Sequence, residues 1–296
     1  MVDLKDARVT VVGLGLMGGS LAGALNKRGA CREVRGVARR EETIKEAIGR
    51  GFIHGGTCDL AEGVGQADLI VLATPVRTIL ELIPQVGSLA APDCLVMDLG
   101  STKARIVEAM EALPPHLQAI GGHPMCGKEA SGVVAAEADL YEGATFVLTP
   151  LRQGSGQALR RTSPEALTLA QELIKAVGAK PLVMGAERHD CLVAAVSHLP
   201  YLLSVGLVAT AEEMAAEDGM VWELAASGFR DTSRLAASDV TMMLDILLTN
   251  RQAVRETLSR FTQQLDAIVH LLEADDEEGL RSLMEQVQKR REAMFR

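Results

Sequence analysis

Three observations predict an α/β chain in two parts: an N-terminal Rossmann-type parallel-sheet domain over residues 1–185, then an all-α dimerisation domain over 186–296. Short β-branched runs alternate with helical patterns through the first part, the arrangement that builds a parallel sheet. The first run is followed at once by a Gly-x-Gly-x-x-Gly turn. After about residue 186 the strand pattern disappears, and the chain becomes rich in Ala, Leu and Met at helical spacing.

Arg8 to Val12 is a β-branched run that stops at glycine, as a buried parallel strand does. Residues 17–29 place Leu21, Ala24 and Leu25 on one helix face, and Gly29 serves as C-cap. Further strands are expected at Val34–Ala38, Leu69–Ala73, Cys94–Asp98, Ala144–Leu148 and Pro181–Met184. Helices fall between them, at Thr43–Arg50 and Lys103–Ala112. Arg152 to Pro164, with Gly154, Ser155 and Gly156, reads as a flexible loop. Helices are then expected at 188–216, 219–226, 238–249, 251–273 and from Asp276 onward. The 190–216 stretch is apolar over more than one face, so it must be covered, and a second copy of the chain is the expected cover.

Composition narrows the partners. Apolar residues make up 48% and charged residues 23%, the balance of a soluble globular protein. A net charge of −9 argues against nucleic acid or an anionic membrane as partner. The longest apolar run, Leu199–Ala211, is shorter than the roughly 20 residues of a membrane span and reads as a buried helix. Residues Met1 to Asp6 contain no signal-peptide h-region. The five cysteines are scattered with no Cys-x-x-Cys pair, so neither a disulfide framework nor a metal site is expected, and a reducing cytoplasm is the expected compartment.

Gly13-Leu14-Gly15-Leu16-Met17-Gly18 follows a strand and opens a helix, which is the context a dinucleotide fingerprint needs. Gly13 permits the turn, Gly15 lets the backbone approach a pyrophosphate, and Gly18 lets helix and strand pack closely. The end of the second strand then decides the cofactor. An NAD site usually has an acidic residue there, and this chain has Ala38, followed by Arg39 and Arg40. A guanidinium binds a 2′-phosphate through charge-assisted bonds, so NADP is expected, with Arg39 first. The alternative is that both arginines are solvated and Glu41 or Glu42 serves NAD. Thr74-Pro75 and Ser101 each follow a strand, where open α/β sheets bind ligands, and are expected in the cofactor pocket.

Gly121-Gly122-His123-Pro124-Met125-Cys126-Gly127 reads as a tight loop presenting one imidazole beside the cofactor, suited to proton transfer near pH 6–7. The alternative is a loop histidine that caps backbone groups. Ser197-His198-Leu199-Pro200 sets a second histidine in an apolar helix, either functional or a satisfied core residue. Arg230 and Arg234, four apart, share a face if their segment is helical and could hold a dianion. They could equally be an exposed salt-bridged face. Glu129 could pair with one of them.

Together these segments resemble the prephenate/arogenate dehydrogenase family. The matching pieces are the glycine turn, Ala73-Thr74-Pro75, Asp98-Leu99-Gly100-Ser101-Thr102-Lys103, Gly121 to Gly127, Ser197 to Pro200 and Ser227-Gly228-Phe229-Arg230-Asp231-Thr232-Ser233-Arg234. They occur in family order over nearly the whole chain. One departure is Cys126, where the family often has alanine. The resemblance implies oxidation and decarboxylation of a cyclohexadiene acid, in tyrosine synthesis. It implies that His123 takes the 4-hydroxyl proton, that Ser101 holds His123 and the hydroxyl in register, and that His198 positions substrate or nicotinamide. It implies that Arg234 binds a substrate carboxylate, supported by Asp231 and Glu129, with Arg230 a weaker candidate. Neither a chorismate mutase segment nor a regulatory domain is expected in a chain ending at Arg296. Two other readings compete: a different Rossmann-type acid dehydrogenase and a non-catalytic dinucleotide sensor. The first usually needs a catalytic lysine in the helical half, and none occurs between Lys180 and Lys289. The second needs neither His123 nor Arg234.

Overall fold

A computed structural model describes residues 1–128, 130–151 and 162–294. Glu129 and most of the expected loop at 152–164 lie outside the described residues. The strands are β1 (Arg8–Val12), β2 (Glu33–Val37), β3 (Gly55–Thr57), β4 (Leu69–Leu72), β5 (Leu95–Asp98), β6 (Gln118–Pro124), β7 (Thr145–Pro150) and β8 (Lys180–Val183). They form one sheet in the order β3-β2-β1-β4-β5-β6-β7-β8. Every pairing is parallel except β6 with β7. The order reverses between β1 and β4, which opens a crevice at their carboxyl ends.

Helices cover both faces. They are α1 (Leu16–Lys27), α2 (Glu41–Gly49), α3 (Leu60–Val64), α4 (Val76–Leu89), α5 (Ala104–Glu111) and α6 (Pro164–Ala176). The central strands β1, β4 and β5 are buried on both sides, and alternate residues feed two cores. Val9, Val11, Leu69, Val71, Leu95 and Met97 pack with Leu21 and Leu25 of α1 and Leu169 and Leu173 of α6. Val12, Ile70, Leu72 and Val96 pack with Ile79 and Ile83 of α4 and Ile106 and Met110 of α5.

The stretch read as a tight histidine loop is strand up to Pro124. Gly121 and Gly122 are there for close approach rather than for turning. A Cβ on Gly121 would lie 2.1 Å from Thr149 Oγ1, and one on Gly122 2.5 Å from the Asp98 carbonyl oxygen. His123 pairs across the ladder with Val147.

From Ala186 every described element is helical: α7 (Ala186–Val193), a π-helical turn (Ala194–His198), α8 (Leu199–Glu217), α9 (Met220–Glu223), α10 (Ser227–Ser233), α11 (Val240–Thr249), α12 (Arg251–Glu273) and α13 (Glu277–Met294). Pro200 has no N–H to return to the Val196 carbonyl, and the turn before it widens into the π form. Two expectations change here. The helix, expected at 188–216, runs from Ala186 to Glu217 over 32 residues and is long and apolar enough by length and composition to cross a membrane, which the run Leu199–Ala211 was expected not to be. It is also not buried within the chain: only 22% of its most apolar window is covered. Val196, Val205 and Met214 are exposed along it, as are Trp222 and Leu224 beyond it.

Two carboxylates lock the helices to the sheet. Asp245 of α11 accepts the Arg77 backbone N–H at 3.1 Å and the Arg77 guanidinium at 2.5 Å, at the start of α4. Asp190 of α7 accepts the backbone N–H groups of Lys103 at 2.7 Å and Ala104 at 2.9 Å, at the start of α5. Both sit where a helix N-terminus leaves donors unpaired and favours negative charge.

The glycine turn yields a paired prediction. A Cβ on Gly18 would lie 1.9 Å from the Gly13 carbonyl oxygen, whereas one on Gly15 meets nothing within 4 Å. Gly18→Ala should therefore cost about 1–3 kcal/mol in urea unfolding. Gly15→Ala should leave the unfolding midpoint unchanged and weaken dinucleotide binding about tenfold or more. Equal effects of the two on stability would contradict this packing.

Candidate active site

The dinucleotide crevice is built from strand ends. Gly13 follows β1 with φ of 102°, a conformation glycine adopts readily, and its N–H bonds the Val37 carbonyl at 2.9 Å. Gly15 is the N-cap of α1 and contributes no side-chain cap, so the first N–H groups of that helix are left for a ligand. Thr74, just past β4, keeps its hydroxyl buried with no hydrogen-bond partner among the described residues. A buried orphan hydroxyl is costly unless something completes it. The open approach at Gly15, the uncapped helix and the Thr74 hydroxyl all fit a dinucleotide. Pro75 follows as the N-cap of α4. At the end of β2, Ala38 is half-buried, while Arg39 and Arg40 are exposed. Glu41 is engaged with Lys45 at 3.4 Å.

Beyond the crevice, β5 and β6 carry a second cluster. Asp98 ends β5 and is completely buried with Lys103. The two form an ion pair, and Lys103 Nζ also donates to the Gly122 carbonyl at 2.7 Å. Asp98 accepts the N–H groups of Gly100 at 2.7 Å and Gly122 at 3.1 Å. These bonds fix the Ser101 loop and the histidine strand to one another. Burial pushes the Asp98 carboxyl up and the Lys103 ammonium down, against their mutual attraction.

His123 is not a lone imidazole. Its Nδ1 lies 2.8 Å from His189 Nε2, and the rings meet edge to face. His189 Nδ1 lies 2.8 Å from Asp190 Oδ1. Asn250 donates from Nδ2 to the Asp190 carbonyl at 2.8 Å and reaches His198 Nδ1 at 3.3 Å. His189, Asp190 and His198 are all buried. Sequence reasoning singled out His123 and His198 but missed His189, Asp190 and Asn250. Glu187-Arg188-His189-Asp190 reads as an ordinary polar helix start, and only the tertiary contact with α5 distinguishes it.

The other expected residues fall into two groups. Ser101 is half-buried, and its hydroxyl makes no hydrogen bond to His123; His189 is the group that holds the ring. Arg230 and Asp231 are exposed and pair with each other at 3.3 Å. The α-helix ends at Ser233, so Arg234 begins a separate 3-10 turn instead of sharing one continuous helical face with Arg230.

Burial favours the neutral form of both His123 and His198. Burial, with His189, Lys103 and His198 nearby, keeps His123 well below its ordinary value of 6.5, not at the 6–7 expected from sequence. Burial likewise lowers His198 to about 4, opposed by Asp190.

Comparisons with known proteins decide the family. Residues 21–183 match the family model described as prephenate dehydrogenase, nucleotide-binding domain, and residues 185–286 match prephenate dehydrogenase, dimerization domain. The chain belongs to the prephenate/arogenate dehydrogenase family. It is a nicotinamide-dinucleotide-dependent oxidoreductase. A prephenate dehydrogenase of Lactococcus lactis is 36% identical over 97% of this chain and 77% of its own. The structure of an Aquifex aeolicus prephenate dehydrogenase, in complex with hydroxyphenyl propionate and NAD+, superposes with a TM-score of 0.90 at 31% identity, covering 99% of this chain and 100% of that one. A Synechocystis arogenate dehydrogenase superposes with a TM-score of 0.82 at 32% identity, covering 97% and 99%.

The neutral histidines set a stability window. The unfolded chain takes up this proton near pH 6.5, and His198 in the folded chain only near pH 4. Between these values the unfolded state binds more protons, so the stability due to this group is complete above 6.5 and lost as pH falls toward 4. His123 acts in the same direction. Urea titrations across this range should show that loss, and His198→Asn should flatten it. An unchanged slope in the variant would contradict the assignment.

Proposed function

We propose that the chain oxidatively decarboxylates prephenate to 4-hydroxyphenylpyruvate, or arogenate to tyrosine, using NADP, as a cytoplasmic homodimer. Residues 1–185 form the dinucleotide domain and 186–296 the substrate and dimerisation domain. The observation that carries the reading is His123, neutral, with one ring nitrogen already engaged, on a strand end beside the dinucleotide crevice.

A nicotinamide dinucleotide held by the Gly13–Gly18 turn and Thr74 would supply the acceptor for the hydride that leaves C4 of the ring. His123 takes the 4-hydroxyl proton as the C4–H bond gives up its electron pair and C4 becomes a carbonyl; the C1–carboxylate bond then breaks, its electrons enter the ring, and the C4 oxygen takes a proton back from His123, leaving carbon dioxide and a phenol. Aromaticity drives the last event, so the protein's task is orientation, proton removal and charge placement. Ser101, half-buried just past β5 and with no hydrogen-bond partner for its hydroxyl among the described residues, helps place the substrate hydroxyl. His198 positions substrate or nicotinamide, and Arg234 binds a carboxylate, supported by Asp231 and Glu129, with Arg230 the weaker candidate for that contact. Absorbance of the reduced nicotinamide, followed for prephenate and arogenate each with NAD and NADP, tests the reaction and separates the substrates. His123→Asn should lower turnover by about 10²–10⁴ with substrate binding retained, whereas Arg234→Ala should chiefly raise KM. Near-normal turnover in His123→Asn would remove the base from this scheme.

The NADP assignment is supported by two exposed arginines with no ionic partner among the described residues, at a strand end that lacks a carboxylate at position 38. Arg39→Ala should weaken NADP binding roughly 10- to 100-fold and leave NAD little changed. Equal effects on both cofactors would count against it.

The homodimer is supported by the match to a dimerization domain and by the uncovered apolar surface of α8. An obligate interface of about 2,000 Å² or more is expected there. Sedimentation at micromolar concentration should show a dimer; a stable monomer would refute it.

A further inference from the structure

The hydrogen bonds around Asp190 do more than join two halves of the molecule. Its carboxylate has only acceptor sites, so His189 must donate to it from Nδ1. A neutral imidazole carries a single N–H, which leaves His189 Nε2 as an acceptor. His123 Nδ1, 2.8 Å away, must then be the donor. The His123 lone pair is thereby placed on Nε2, which has no hydrogen-bond partner among the described residues. A second branch starts at the Asp190 backbone. Its carbonyl oxygen can only accept, so the Asn250 atom at 2.8 Å is the amide nitrogen. The remaining hydrogen of that nitrogen points to His198 Nδ1, which accepts it, so His198 carries its proton on Nε2.

We propose that Asp190 fixes the tautomers of both active-site histidines, through His189 and Asn250 as positioning residues. One histidine is left offering a lone pair and the other an N–H. This rests on the reading of His123 as the base. The two offers are what the reaction needs: a site that removes a proton, and a neutral donor to a ligand oxygen. The arrangement also answers the charge that appears. When His123 becomes an imidazolium, its Nδ1–H bond to His189 strengthens, and the Asp190 carboxylate compensates the charge two links away with no second proton transfer. The competing arrangement is a doubly protonated His189, which would reverse His123. That form would donate from both ring nitrogens, and ring-nitrogen spectra distinguish it from the single N–H of the neutral ring.

The test reads the tautomers directly. In the full chain labelled with 15N-histidine, ring nitrogen shifts and two-bond couplings should show His123 protonated on Nδ1 and His198 on Nε2 at neutral pH. His123 protonated on Nε2, or His198 on Nδ1, overturns the proposal, and neither result depends on a variant folding. His189→Leu should give a mixture of His123 tautomers and lower kcat by about 10- to 100-fold, with KM for both substrates within about threefold. His189→Gln can accept from His123 and donate to Asp190, and should recover most of that loss. Asn250→Leu should scramble His198 and leave His123 unchanged. A His189→Leu enzyme with wild-type kcat, or a Gln variant no better than Leu, refutes the positioning role. The base assignment itself stands or falls separately, on the turnover of His123→Asn.

Discussion

The site depends first on a buried ion pair. Asp98 and Lys103 are wholly out of water, and between them they hold Gly100, Gly122 and the Ser101 loop. Taking two charges into a protein interior is expensive, and the pair is tolerated because each partner has additional hydrogen bonds. What it secures is geometry. The end of β5 and the end of β6 are tied at fixed spacing, and these ends carry Ser101 and His123. Removing one partner would leave an uncompensated buried charge, typically worth 3–5 kcal/mol. Replacing both with apolar residues could keep the fold and lose the spacing.

The same residue, Lys103, passes the constraint onward. Its backbone N–H is held by Asp190, so the helical half is docked onto the loop that carries the ion pair. Asp245 repeats the device on α4, and Thr102 meets Thr249 at 2.8 Å between them. Three polar contacts spread over α7 and α11 resist rotation of the helices against the sheet in a way that a single contact would not. His189 of α7 thus reaches a strand of the other half with hydrogen-bonding precision, while His198 of the following π turn is held through Asn250.

Much of this was legible in the sequence, and the exceptions share a cause. β1, β4 and β5 announce themselves because both faces are buried, so their residues are mostly apolar. β6 hides because its function replaces the usual side chains. Gly121 and Gly122 are required by Thr149, Asp98 and Lys103, partners from elsewhere in the chain, and a local reading sees only a glycine-rich turn. β3, with Gly55, Gly56 and Thr57, is concealed similarly: a Cβ on Gly56 would lie 2.7 Å from the Gly36 carbonyl. His123 and His198 were found because each stands out against glycine, proline or apolar neighbours. His189 and Asp190 stand in polar company, and their role exists only once α7 lies across α5. The exposed flank of α8 was legible as a surface that needs cover from a second copy of the chain.

Mounting His123, the proposed base, on a strand has an energetic consequence. The His123 backbone is held by its ladder with Val147 and, through Gly122, by the ion pair, and the ring has few torsions left to choose. Little ordering of the protein remains to be done when a substrate arrives. The entropy has been spent during folding, so the barrier that remains should be mostly enthalpic, with a small activation entropy for the proton and hydride step.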